Sequence, residues 1–476
     1  MTLRRVLLGA LLLLLGAAAL RDVARIGNDL PWRVMYDFQD FYCAGSVLDA
    51  RQDPYTYEPL RTCEHRVGRN PSFRTNPSLA IPAPQPPYDF PPFMALSRLS
   101  YAAAQGWYAA AIVAAVIGSA IVLWRLGIPL DVALLALALG PGYLELDAGQ
   151  IVPFAFLFLV ATGWMLALRR DAAAGVFAAL CGVEPHLGIA VALAVFFFVP
   201  RGRFSLIATA VGLAAIALVV AGPSGVATYA TRVLWAQAAS EVTFPPQYSL
   251  TYLLHAFGTP DALALALGTL SFCLFVAAGL VVAPRLAARV GRRELLAFLP
   301  AATAIMGGAY VHVVELCLAI PAALVLACFA RGAGRSVAAA AACLLTVPWI
   351  AAWGTKKLFL ACVFVCAALL YRLGVSRAFG IATVLAIAVA LYLLELHPPW
   401  LPPAPGLPAA SFAAHALVQT EWKSVARALD SHDPLWLAVK LPGWIGLAAV
   451  LSVALAESSA TVPGPGRAAV PRRTRA

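Results

Sequence analysis

RGRFSLIATAVGLAAIALVVAG, residues 201–222, opens on two arginines and then carries no charge until Arg232. A run this long and this apolar crosses a bilayer as a helix, because lipid offers the backbone no hydrogen-bond partner and a helix supplies its own. Similar uncharged runs recur along most of the 476 residues, of which 62% are hydrophobic and 12% charged, for a mean hydropathy of +0.82. A soluble core of this size would still need a charged surface. The expected fold is therefore an all-α, polytopic integral membrane protein of the multi-pass cell-membrane kind.

A formal charge of +11 raises the question of nucleic acid, and the positions of the basic residues answer it. They fall in small clusters between apolar runs: Arg4/Arg5, Arg125, Arg169/Arg170, Arg201/Arg203, Arg285 to Arg293, Arg331/Arg335, Arg372/Arg377 and Arg467 to Arg475. Such clusters mark cytoplasmic helix ends, not a nucleic-acid surface. Eight clusters enclose seven hairpins, which predicts 12–14 transmembrane helices with both termini inside. The weakest hairpin is 171–200, whose two runs flank Glu184-Pro185-His186 and are short for the ~20 residues a full span needs, so half-helices or a re-entrant pair are expected. Lys356 and Lys357 land outside against the rule, through a miscounted span or as an anion contact. Residues 1–20 read either as a first membrane helix or as a cleaved signal peptide, and both leave the next loop outside.

One membrane domain, 1–461, is expected to precede a disordered basic tail, 462–476, on the cytoplasmic leaflet. Three outer segments are long enough to hold chemistry: 27–100, 222–260 and 397–435. The first is expected to hold a short helix over 41–50, a turn at Gln52-Asp53-Pro54-Tyr55, and an extended proline-dense path from Pro77 to Pro92. Seven of nine cysteines lie in apolar runs as packing residues. Cys43 and Cys63 lie in the outer loop, where an oxidising compartment would allow a disulfide and a reducing one would not. No internal repeat is evident, which argues against an inverted-repeat transporter.

The outer loop opens on Tyr36-Asp37-Phe38-Gln39-Asp40-Phe41-Tyr42. In a helix its two carboxylates would share a face. A carboxylate partly desolvated among aromatics has its pKa raised toward a value useful to a general base; the competing reading is a first-turn helix acid. Glu145 and Asp147, followed by Gly149-Gln150, and Glu241 fit ordinary turn chemistry. Glu184/His186 and His312/Glu315 are ionisable pairs at membrane depth, which face a cavity or a partner; they serve either a functional site or helix-to-helix hydrogen bonding. Metal and nucleotide motifs (HExxH, paired CxxC, P-loop, GxGxxG) are missing, so a substrate arriving through the membrane is favoured.

The order of motifs resembles glycosyltransferase family 87, the polyprenyl-phosphate-dependent mannosyl- and arabinofuranosyltransferases of GT-C architecture. The resemblance rests on Asp37-Phe38, Phe41-Tyr42, Ala44 and Pro54-Tyr55, then Phe90-Pro91-Pro92-Phe93, Gly149-Gln150, Leu168-Arg169-Arg170, Ala174-Gly175, Gln247, Ser249-Leu250 and His312. Where the family commonly has Lys-Pro, this chain has Glu184-Pro185-His186, which calls for another cation or a different donor. The resemblance implies an inverting transfer of a sugar, mannose by family frequency, from a polyprenyl-phosphate donor to a lipid or glycan acceptor at the outer face. Asp37 would be the general base and Asp40 the fallback. Tyr42, Gln150, Glu184, His186, Gln247 and His312 would contact the donor, with no metal and no further cofactor. Two rivals are a transporter or flippase of lipid-linked sugars and a non-catalytic scaffold.

Overall fold

The computed structural model describes residues 35–68, 72–352, 356–400, 413–431 and 433–459, with a few positions between 9 and 17. The candidate signal segment 1–20, the tail 462–476, residues 401–412 of the third outer segment and the side chains of Lys356 and Lys357 lie outside the described residues. Helices make up the described structure, and its isolated β-bridge joins Thr56 to Leu417. The chain is an all-α membrane protein.

In chain order the outer part begins with α1 (Tyr36–Asp49), α2 (Tyr57–Val67) and α3 (Phe90–Ser97). The membrane part follows with α4 (Tyr101–Arg125), α5 (Leu130–Leu137), α6 (Val152–Ala167), α7 (Asp171–Leu180), α8 (Pro185–Phe198) and α9 (Arg203–Thr228). After a short outer helix α10 (Leu250–Ala256) come α11 (Asp261–Val290), α12 (Leu295–Gly307), α13 (Ile320–Phe329), α14 (Gly332–Thr346), α15 (Lys356–Arg372) and α16 (Arg377–Leu396). The outer α17 (Val418–Ala428) and the membrane helix α18 (Leu441–Ser459) end the described chain. Among the described residues five helical stretches are long and apolar enough to cross a bilayer, and seven apolar helices are shorter.

The arginine clusters converge on one face of the bundle. Arg292 reaches the carbonyl of Leu126, Arg293 pairs with Asp171 at 3.2 Å, Arg335 donates to the Leu373 carbonyl at 2.6 Å, and Arg372 pairs with Asp131. Bringing arginines distant in sequence to a single face is what the positive-inside pattern requires. At the core, α13 is buried on every side from Ile320 to Ala327, whereas α9 turns Phe204, Val211 and Val219 outward as a lipid-facing surface does.

Two departures from the sequence expectation matter. The second outer segment, 222–260, is not mainly loop: helix continues from Arg203 past Gly222 and on through Ser240. Pro223 removes one backbone donor and Gly222 adopts φ 69°, so the chain bends at that point and helicity resumes. The outer-loop helix is also longer than 41–50, because the first turn starts at Tyr36.

The hairpin 171–200 forms two short helices, as expected of half-helices. At ~1.5 Å per residue the fourteen residues of α8 reach about 21 Å, short of the ~30 Å hydrocarbon thickness. Neither helix of the hairpin that carries Glu184-Pro185-His186 is therefore long enough to span the bilayer alone. Close packing holds the apex: a Cβ on Gly188 would sit 2.6 Å from the Gly182 Cα. The outer loop meets it, with the Tyr88 hydroxyl donating to the Gly182 carbonyl at 2.6 Å.

The outer loop is a small packed unit. Cys43 of α1 and Cys63 of α2 form a disulfide, which closes the alternative left open by the sequence. The proline-dense run is extended up to Pro86, and side chains pin it: Tyr55 to the Gln85 carbonyl at 2.7 Å, Tyr57 to the Ser78 carbonyl at 2.5 Å, and the Ile81 N–H to Glu64 at 3.1 Å.

Candidate functional site

Asp37 sits in the first turn of α1, entered through Met35 in the left-handed region at φ 47°. Phe38 fixes the helix by stacking on Tyr108 of α4, ring centroids 4.6 Å apart. Opposite, the short helix Glu145–Ala148 ends at Gly149 with φ 74°. A side chain there would be doubly excluded, since a Cβ would come within 2.8 Å of the Phe38 Cβ and 2.9 Å of the Met35 Cβ. That contact brings Gln150 against Asp37, and the amide donates to Oδ2 at 2.5 Å. The Tyr108 hydroxyl donates to the Gln150 carbonyl at 3.1 Å and holds the backbone behind it.

Burial pushes the Asp37 carboxyl up to about 6, with the Glu241 and Asp147 charges acting in the same direction, while His312 and the Gln150 bond oppose them. Asp147 is itself pushed up to about 6 by burial. Asp37 thus remains mostly ionised at neutral pH while being a stronger base than an exposed aspartate.

A second group of residues comes from the opposite side. Gln247 is fully engaged: its Oε1 accepts from the Val311 N–H at 2.7 Å, and its Nε2 donates to Glu241 Oε2 at 2.9 Å and faces the His312 ring 3.1 Å away. Glu241 also accepts from Gln237 at 3.0 Å and from the Trp422 indole at 2.7 Å. Trp422 lies on α17, so the third outer segment reaches the site through this bond.

The two ionisable pairs read from the sequence form one cluster. His312 caps the short helix Val313–Ala319, with its N–H donating to Glu315 Oε2 at 3.0 Å. The Glu315 carboxylate also lies 3.2 Å from His186 Nε2, and Glu184 lies 3.9 Å from His186 Nδ1. Tyr310 packs beside the His186 ring with centroids 5.1 Å apart. Glu145, completely buried, interacts electrostatically with Glu184, Glu315 and Asp37.

The structure therefore brings Asp37, Gln150, Glu184, His186, Gln247 and His312 to one region. Asp40 and Tyr42 lie elsewhere. Asp37 and Asp40 lie three residues apart on one helix and Asp40 feels the Asp37 charge, as expected, but their side chains take different partners: Asp40 is buried against Glu64. Burial and the neighbouring Glu64 push the Asp40 carboxyl well above the usual range, and it shares a hydrogen bond with Glu64, whose carboxyl burial also raises. Tyr42 donates to the Leu99 carbonyl at 2.9 Å and packs edge-on against Tyr101, so it ties α1 to the start of α4.

Sequence reading passed over Glu241 and Glu145 as turn residues and did not single out Tyr310 or Trp422. Glu241 had a usable signal, a carboxylate six residues before Gln247 in an apolar setting; Trp422 had none, because its contact spans 181 residues. A cavity of about 910 Å³ lies at the far end of α1, between Arg51, Arg98 and Asp53 on one side and Val219, Val220 and Ala221 at the α9 bend on the other. It is separate from the Asp37 cluster.

Residues 85–311 match the family model described as glycosyltransferase family 87. The matched stretch contains Gln150, Glu184, His186 and Gln247, ends one residue before His312, and leaves Asp37 on its N-terminal side. No curated protein and no solved structure matches the chain.

Proposed function

We propose, from the match of residues 85–311 to the glycosyltransferase family 87 model, that the chain is a membrane glycosyltransferase that moves a sugar from a polyprenyl-phosphate donor at the outer face, with Asp37 as general base. The observation that carries this reading is the Asp37–Gln150 contact. It joins a raised-pKa carboxylate of the outer loop to the family-matched stretch.

Gln150 occupies Oδ2 and orients the carboxylate, so Oδ1 is left to receive a proton. An acceptor hydroxyl within about 2.6–3.2 Å of Oδ1 would lose its proton to Asp37 as its oxygen attacks the anomeric carbon. The bond from that carbon to the lipid phosphate oxygen breaks, and the phosphate leaves on its lipid with inversion at the sugar. Phosphate is a competent leaving group, so the base and the positioning of both substrates supply the main effects. A lipid-borne donor is supported by the place of Asp37, in the outer segment that packs through Phe38 on the membrane helix α4. Mannose is proposed from the resemblance alone.

Asp37→Asn keeps the side chain's size and its contact with Gln150 but removes the base. Transfer from a labelled polyprenyl-phosphate sugar by the purified variant should fall by about 10²- to 10⁴-fold, with thermal stability and lipid binding retained. Transfer at the wild-type rate would refute Asp37 as the base; no lipid-linked sugar consumed by the wild type would favour a transporter.

A further inference from the structure

Five carboxylates crowd the candidate site: Asp37, Glu145, Glu184, Glu241 and Glu315. Among the described residues none of them is ion-paired with a lysine or arginine; their nearest basic groups are the His186 and His312 rings. Glu241 is saturated by three donors. Asp37 is held by Gln150. Glu315 accepts from the His312 N–H and faces the His186 ring, but Glu184 and Glu145 lack comparable neutralisation, and a phosphate brought beside them would meet repulsion in a low-dielectric setting.

Glu184, His186 and Glu315 each present a ligand atom, and these atoms lie within 4.8 Å of one another. The separation of 3.2 Å between His186 Nε2 and Glu315 Oε2 is that of adjacent ligands around one ion with bonds of about 2.0–2.2 Å. Both imidazole nitrogens lack a well-formed hydrogen bond, and so does Oε2 of the fully buried Glu145, which feels the charges of Glu184 and Glu315. A structural helix-to-helix contact would have satisfied these atoms.

We propose that Glu184, His186 and Glu315 bind one divalent metal ion, which neutralises the cluster and holds the phosphate of the donor. Two carboxylates and one imidazole suit an ion intermediate between the oxygen-preferring and nitrogen-preferring metals, with Mn²⁺ first. The ion would leave the bond changes at the sugar to Asp37. Its place in donor binding rests on the transferase reading above; metal binding itself does not. No metal was expected from the sequence, because the ligands come from two segments more than a hundred residues apart.

The test uses the full chain in detergent, stripped with a chelator and titrated with Mn²⁺ alone, followed by calorimetry and by the Mn²⁺ electron-spin signal. One Mn²⁺ per chain is expected, with an accompanying rise in melting temperature. Glu184→Gln and Glu315→Gln should each weaken binding by about tenfold or more, whereas Asp37→Asn should bind Mn²⁺ as the wild type does. No saturable Mn²⁺ binding, or binding unchanged in both glutamine variants, overturns the proposal. Sugar transfer in a chain that binds no Mn²⁺ would refute the metal alone; Mn²⁺ binding without any transfer would refute the transferase reading and leave the site standing.

Discussion

Asp37 has its carboxyl pushed up to about 6 chiefly by burial, and this sets its pH behaviour. The base is needed ionised, so kcat/KM should fall as pH drops through about 6 and level off above it. Asp147 lies in the same titration range, and its charge raises Asp37. Asp147→Asn should therefore keep the limb and move it to lower pH, whereas the residual turnover of Asp37→Asn, lower by about 10²- to 10⁴-fold, should lose the limb. A pH–rate profile of the two variants separates them. Asp40 is expected to behave differently. Its carboxyl and that of Glu64 are raised in the folded state, so their contribution to stability is fullest below the unfolded carboxylate pKa of about 4 and is lost as pH rises through the folded values. Asp40→Asn can still donate to Glu64, so thermal unfolding of this variant should show a weaker pH dependence while transfer is largely kept. The sequence made Asp37 a candidate base from its aromatic, near-membrane setting. It could not separate Asp37 from Asp40, because the choice rests on Gln150 and Glu64, 113 and 24 residues away along the chain.

At the scale of elements, the position of Asp37 depends on how α1 meets the turn at Gly149. An alanine there would press on Phe38 and Met35 and force a left-handed φ on a residue with a Cβ. Gly149→Ala should separate Gln150 from Asp37 and lower kcat more than it lowers stability, measured by transfer rate beside a melting curve. The Cys43–Cys63 bridge ties α1 to α2 across 20 residues. Removing it with serines should cost about 3 kcal/mol on the loop-entropy account, read as a lower melting temperature that a reducing agent reproduces in the wild type. The short helices of the 171–200 hairpin were legible from run length alone. The continuous helix beyond Gly222 was not, because glycine followed by proline reads locally as an end of helix, and only packing shows that the chain resumes its course.

The whole molecule separates its charges by face. Arginines from many helix ends meet at one face, and the carboxylate cluster joined to the outer loop through Asp37 lies away from them. That division was legible in the sequence, since the arginine clusters count the hairpins before any packing is known. The convergence of Glu241, Gln247, His312 and Trp422 was not, because it is made by tertiary contacts between segments that look separately like turns. With single cysteines introduced at exposed Gln52 and exposed Arg201, a membrane-impermeant maleimide applied to intact cells should label the first and spare the second; the reverse would invert the topology. The most direct test of the central claim is sugar transfer by purified protein from labelled polyprenyl-phosphate sugars to membrane lipid extract, comparing wild type with Asp37→Asn. Label should be moved by the wild type and almost none by the variant, both equally folded; equal transfer by the two, or no lipid-linked sugar consumed by either, would overturn Asp37 as the base of a lipid-linked sugar transfer.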